Sequence, residues 1–234
     1  MAGKHRLAIA ALMPTDDAAA RLHAVHETIA RSAGLAGRKE DDVTLIAVSK
    51  THPAEAIKPL IAAGQRHFGE NRVQEAAAKW PELRGATPDI VLHLIGQLQS
   101  NKAEDAVALF DVIHSLDRPS LVTALGKAMA RQDRRPGCFI QVDIGSEPQK
   151  GGCAIADLPA LIGQAREADV PLLGLMAIPP AEVEAAPYFA LLAKLAREHG
   201  FDGLSMGMSG DYATAVTLGA TYVRVGTALF GARA

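Results

Sequence analysis

A single closed (β/α)₈ barrel of the TIM type, with one extra helix in front, is the α/β fold this sequence predicts. Three observations lead there. The chain has 234 residues, close to the roughly 250 typical of such barrels. About eight short apolar or β-branched runs alternate with helical patterns, and alternating βα units pack as a parallel sheet with right-handed crossovers. No linker or shift in composition interrupts the alternation, which suggests closure into one body; an open doubly wound sheet is the runner-up.

Residues 1–15 read as an N-terminal arm and 16–234 as the barrel domain. Lys4, His5 and Arg6 before the apolar stretch Leu7–Met13 imitate a signal peptide, but the stretch is of minimal length and Pro14 and two aspartates end it. The first helix reads Asp16 to Arg31, with Leu22, Val25 and Ile29 on one face and Gly34 as its stop. Val43–Ser49 is short and β-branched, as a buried parallel strand should be. Pro53 opens the next helix and Gly64 closes it. Further strands are expected at His67–Phe68, Val91–Ile95, Val112–Ser115 and Cys138–Ile144, then at Leu172–Ile178, Leu204–Met206 and Thr221–Val225. Helical patterns between them include Leu121–Arg131, Leu158–Ala168, Val183–His199 and one starting near Asp211.

Composition narrows the function classes. A content of 49% hydrophobic and 21% charged residues excludes general disorder. Lys+Arg 24 against Asp+Glu 26 gives a net charge of −2, and aromatics are only 4%. Neither an electrostatic hold on nucleic acid or anionic lipid nor a base-stacking surface is expected. No apolar run approaches a membrane-spanning length. Two cysteines make no disulfide framework or zinc site; Cys138 reads as a core residue and Cys153 as an accessible loop thiol. The chain is expected to be cytoplasmic, where disulfides are rare.

Barrel active sites lie at the C-terminal ends of the strands, so polar residues there are the site candidates. Lys50 ends the first strand. Beside a low-dielectric wall its ammonium loses stability, and the free amine becomes a nucleophile toward carbonyls; alone, such a lysine reads more simply as a solvated edge charge. Gly207, Met208 and Ser209 follow the seventh strand, and Gly226 and Thr227 the eighth. Glycine amides and hydroxyls in two adjacent turns can cradle a phosphate. Arg224 alternates onto the face of Gly226, and a guanidinium inside a barrel needs an acceptor: a carboxylate such as Asp143, or a ligand heteroatom. Pyridoxal 5′-phosphate (PLP) offers an aldehyde, a phosphate and a ring nitrogen to these three elements.

At these residues the chain resembles the pyridoxal phosphate homeostasis protein family, single-domain barrels related to the N-terminal domain of alanine racemase. The resemblance runs from about Leu45 to Arg233. It rests on Ala47–Thr51, Phe68–Asn71, His93–Lys102, Gly174–Pro179, Ser205–Ser209 and Val223–Arg233, in that order. It implies a fold-type III PLP-binding barrel in which Lys50 forms a Schiff base with the cofactor and Asn71 lies near its 3-hydroxyl. Ser209, Gly226 and Thr227 would hold the phosphate and Arg224 would meet the ring nitrogen. His93 and the stretch Gln97 to Lys102 would border the pocket, with roles left open, as are those of Asp143 and Lys150. Leu92 stands where members often carry Trp, Gly210 where many have Asp or Ala, and Asp143 where Asn is usual. The implied function is to carry and buffer PLP and so maintain vitamin B6 and amino-acid balance, with apo PLP-dependent enzymes as partners.

Efficient catalysis is not expected. A racemase needs a second acid/base opposite the lysine, supplied in the related racemases by a tyrosine from an added domain of a partner chain. Residues for such a domain are lacking, which suggests a monomer. Of the three tyrosines, Tyr188 and Tyr212 read as structural and Tyr222 as lying deep in the barrel. The alternatives are a weak racemase-like PLP enzyme, or a cofactor-free class I aldolase using the same lysine. His23, His26 and Glu27 share a helix face but lack the further ligands of a metal site. His67, His93 and His114 fall on strands and read as core residues with satisfied nitrogens.

Overall fold

The computed structural model describes residues 18–147, 151–181 and 183–231. The proposed arm, the first helix's start at Asp16, Lys150 and Arg233 lie outside them. Eight parallel strands close on themselves in sequence order: β1 (Thr44–Val48), β2 (His67–Glu70), β3 (Val91–Leu94), β4 (Val112–Leu116), β5 (Gly137–Gln141), β6 (Leu172–Met176), β7 (Gly203–Met208) and β8 (Tyr222–Val225). The closing seam pairs Ile46 with Arg224 and Ala47 with Val225. Closure sets the first strand beside the last, which an open sheet would not, and so puts Lys50 next to the turns that end the chain.

Helices alternate with the strands as the sequence predicts. They are α1 (Ala18–Leu35), α2 (Ala54–Ala62), α3 (Val73–Ala86), α4 (Ala103–Leu109), α5 (Pro119–Gln132), α6 (Leu158–Glu167), α7 (Ala186–Glu198), α8 (Tyr212–Thr217) and α9 (Thr227–Phe230). Several boundaries differ from expectation, three of them instructively. α1 passes through Gly34 and ends instead where Gly37 takes φ +68°, with Arg38 N–H closing onto Ala33 O at 2.9 Å; that left-handed cap suits glycine. The fifth strand stops at Gln141 because Val142 turns to bridge Cys153. β7 runs on to Met208.

Side chains alternate across each strand, giving two cores. The larger lies between barrel and helices and includes Leu45, Ala47, Phe68, Trp80 and Leu92; the smaller, inside the barrel, centres on Val112, Phe139 and Met176. Barrel interiors are usually filled by branched aliphatics, but here His93, His114, Ser205 and Arg224 are buried as well. α1 packs on the short α8 and α9: Arg21 Nε donates to Leu229 O in α9 at 2.6 Å, and just past α1 Arg38 Nη1 donates to Ala220 O at 2.9 Å. Among the described residues no helix is long and apolar enough to cross a membrane, and no cluster of three or more His, Cys, Asp or Glu could hold a metal. His23 and His26 instead face Glu27 and Glu40.

Candidate functional site

A cavity of about 310 Å³ opens at the C-terminal mouth of the barrel, and Lys50, Asn71, Ser209, Arg224, Gly226 and Thr227 all line it. Each is placed by the end of a strand. Lys50 follows β1 in a turn where Thr51 has φ +66°, a conformation unfavourable for a β-branched residue. The turn is tied down from outside: Thr51 N–H donates to Glu75 Oε1 at 2.5 Å, and Lys79 Nζ donates to Ser49 O and His52 O at 2.9 and 3.0 Å. Behind it sits the fully buried Glu70, whose Oε1 accepts from Ser49 Oγ at 2.6 Å and Trp80 Nε1 at 3.0 Å and lies 2.8 Å from Lys79 Nζ. Sequence reading missed this network. Its signal was an acidic residue at an apolar strand's end, one position before Asn71.

Asn71 sits just past β2, and a Cβ on Gly96 would fall 2.4 Å from its carbonyl oxygen. Only glycine permits that approach of the two strand ends. Opposite, Gly207 takes φ +93°, Met208 N–H donates to Asp211 Oδ1 at 2.6 Å, and Ser209 Oγ accepts from Gly226 N–H at 3.2 Å. The two small-residue turns are therefore joined. α9 starts at Thr227, and the leading amides of a helical turn have no partner within it. A Cβ on Gly226 would meet only Val48, at 3.5 Å, so the protein itself leaves room there.

Arg224 forms the floor. It is buried, donating from Nη1 to Ser205 Oγ at 2.6 Å and from Nη2 to Ala177 O at 3.0 Å. Burial pushes its pKa down to about 10, against the opposing pull of Asp211, so it stays cationic at neutral pH. The possible pairing with Asp143 is not made: Asp143 Oδ1 accepts from Glu147 N–H at 2.9 Å. Nor does His93 border the cavity. It lies wholly inside the barrel, bonded to His67 and His114. Gln97 and Lys102 line an adjacent hollow of about 300 Å³ that shares Asn71. Cys153, expected to be accessible, is buried and bonds through its backbone to Gln141 and Asp143. None of the three tyrosines lines the cavity; Tyr222 packs inside the barrel against Phe139 and His114.

Comparison with known proteins first defines the class: residues 21–234 match the alanine racemase N-terminal domain family. Alanine racemase from Clostridium difficile shares this fold with a TM-score of 0.70 at 15% identity, over 94% of this chain and 57% of that one. Nearer relatives narrow it. The pyridoxal phosphate homeostasis protein of Pseudomonas aeruginosa is 43% identical over 88% of this chain and 91% of its own. That of Escherichia coli K12 is 40% identical over 93% and 97%. PipY of Synechococcus elongatus, solved with PLP bound, is 42% identical with a TM-score of 0.82 over 92% of this chain and all of its own. The chain belongs to the pyridoxal phosphate homeostasis protein family.

Proposed function

We propose that this protein binds pyridoxal 5′-phosphate at the barrel mouth, holds it covalently through Lys50, and carries or buffers it for vitamin B6 and amino-acid homeostasis without efficient catalysis. The observation that carries this reading is the convergence of an amine, a buried guanidinium and a joined pair of hydroxyl–amide turns on one cavity of about 310 Å³. The donor set suits the group: a nucleophile for an aldehyde, hydrogen-bond donors for a phosphate, and a cation for a ring nitrogen. The PLP-bound relative PipY supports it.

When bound, the cofactor supplies a reactive aldehyde and a ring that accepts electron density. Lys50 provides the attachment point, from a turn braced by Lys79 and Glu75. Ser209, Gly226 and Thr227 would hold the phosphate, and Asn71 would serve the ring hydroxyl. Arg224 donates toward the ring nitrogen and keeps its proton, leaving the ring a weak electron sink. With every tyrosine outside the lining, no tyrosine stands opposite Lys50 to exchange a substrate proton. Carriage to apo PLP-dependent enzymes, as a cytoplasmic monomer, is the role this leaves. Borohydride reduction of the PLP-loaded protein followed by peptide mass mapping tests the reading. A pyridoxyl group on Lys50 is expected, and one on Lys102 or Lys150 instead would overturn it.

A further inference from the structure

A line of polar side chains outside the cavity lining runs down the barrel interior from Arg224. Ser205 Oγ, which accepts from Arg224 Nη1 at 2.6 Å, lies 2.8 Å from His114 Nδ1. His114 Nε2 lies 2.9 Å from His93 Nδ1, and His93 Nε2 lies 3.0 Å from His67 Nδ1. Ser205, His93 and His114 are wholly buried, and His67 is half-buried at the opposite mouth.

The protons along this line follow from the chemistry of its first member. A guanidinium only donates, so Ser205 accepts from it, and the single hydroxyl proton goes to His114 Nδ1. A neutral imidazole that accepts at Nδ1 donates from Nε2. His114 therefore donates to His93, and His93 in turn to His67. The reverse order would give Ser205 two incoming donors and bury its own proton with no acceptor, which is costly. In the forward order an imidazolium at His93 would set its Nδ1–H against the Nε2–H of His114, and one at His114 would set its Nδ1–H against the Ser205 hydroxyl proton. Turning either ring over would put carbon where nitrogen now stands, and the stack of His114 on Phe139 (4.6 Å, 18°) resists it.

We propose that Ser205, His114 and His93 are positioning residues for Arg224: a one-way hydrogen-bond ladder, with polarity set by the guanidinium, that holds the guanidinium in place at the floor of the cofactor cavity. The effect on cofactor binding rests on the function proposed above, whereas the polarity itself does not. Because the ladder runs away from the cavity, the barrel interior offers the ring nitrogen no proton except by deprotonating Arg224. Burial also holds both inner histidines well below the ordinary imidazole range, which agrees with neutral rungs.

Long-range ¹H–¹⁵N correlation spectra of the intact protein without added cofactor test the polarity. His93 and His114 should each show a single neutral form protonated at Nε2 at neutral pH; a proton on Nδ1 of either, or an imidazolium, overturns the ladder. In Ser205→Ala the His114 signal should lose its single form, and Ser205→Thr should restore it; an unchanged His114 spectrum in the alanine variant counts against it. Equilibrium dialysis with PLP tests the positioning role. Ser205→Ala should bind about tenfold more weakly, the order expected for one lost charge-assisted bond, and shift the visible band of the bound cofactor, with Ser205→Thr recovering both. Unaltered affinity and band would refute that role. Should Ser205→Ala not fold, the wild-type spectrum still decides the polarity, and a failure of Lys50 attachment would leave that spectrum unchanged.

Discussion

Glu70 shows how much one carboxylate can govern. It is fully buried, bonded to Ser49, Trp80 and Lys79, and those bonds hold the strand end that presents Lys50. Removing it takes the nearest acceptor from the buried Ser49 hydroxyl and from Trp80 N–H and leaves Lys79 with Glu75, at 3.1 Å, as its counter-charge; breaking such a buried network typically costs about 3–5 kcal/mol. Glu70→Ala should lose about that much in urea unfolding followed by circular dichroism, and a loss within about 1 kcal/mol would contradict the bracing role. The two thiols carry a separate prediction. Burial pushes Cys138 and Cys153 up to about 12, and only the thiolate reacts. Near pH 8 the native protein should resist alkylation at both and react fully once unfolded; rapid native labelling of Cys153 would count against its buried placement. Cys153 was misread from sequence because the glycines before it suggested an open loop. What buries Cys153 is the bridge back to Val142 across the intervening loop, a pairing with no mark in the residues beside it.

Strands β2, β3 and β4 each place one histidine inside the barrel, bonded in series. Their pH dependence belongs to the element, not to any one ring. His93 and His114 are held well below the ordinary imidazole range, by burial first and then by neighbouring positive charge. Once the pH falls below the unfolded value of about 6.5, the unfolded chain binds protons that the folded chain refuses. Stability is therefore complete above that pH and declines as pH drops toward the depressed folded values. The slope approaches about 1.4 kcal/mol per pH unit for each histidine. Urea midpoints at about pH 7.5 and about pH 5.5 check the sign, and equal or greater stability at the lower pH would contradict it. The strands themselves were legible because β-branched runs such as Val43–Ser49 alternate with helical periods. Their ends were less so. Gly34 has the residue type of a helix stop, yet the turn that ends α1 falls at Gly37, where Arg38 can reach Val216 and Ala220. Tertiary contact chose between two glycines that local pattern could not separate.

At the scale of the whole molecule, closure of the barrel is what makes the site. Lys50 follows the first strand and Arg224 lies on the last, 174 positions away by their numbering, yet both line one cavity because β1 pairs with β8. That convergence was legible because each candidate is a chemically distinctive residue at a predicted strand end, and the fold rule for barrels says where strand ends meet. For His93 the strand reading, a core residue with satisfied nitrogens, agrees with the structure and the pocket border implied by the resemblance does not, because a motif carries sequence order but not the side of the strand; the alternation of β3 turns it inward, to His67 and His114. The Glu70 brace and the histidine ladder were illegible because one joins a strand to a helix and the other joins several strands, both through side-chain atoms. The most direct measurement of the central claim is the cofactor content and visible absorbance of Lys50→Ala after incubation with PLP and desalting. The account predicts loss of the visible band and of retained cofactor while the fold persists by circular dichroism. A variant that keeps both the band and a full equivalent of bound cofactor would contradict it.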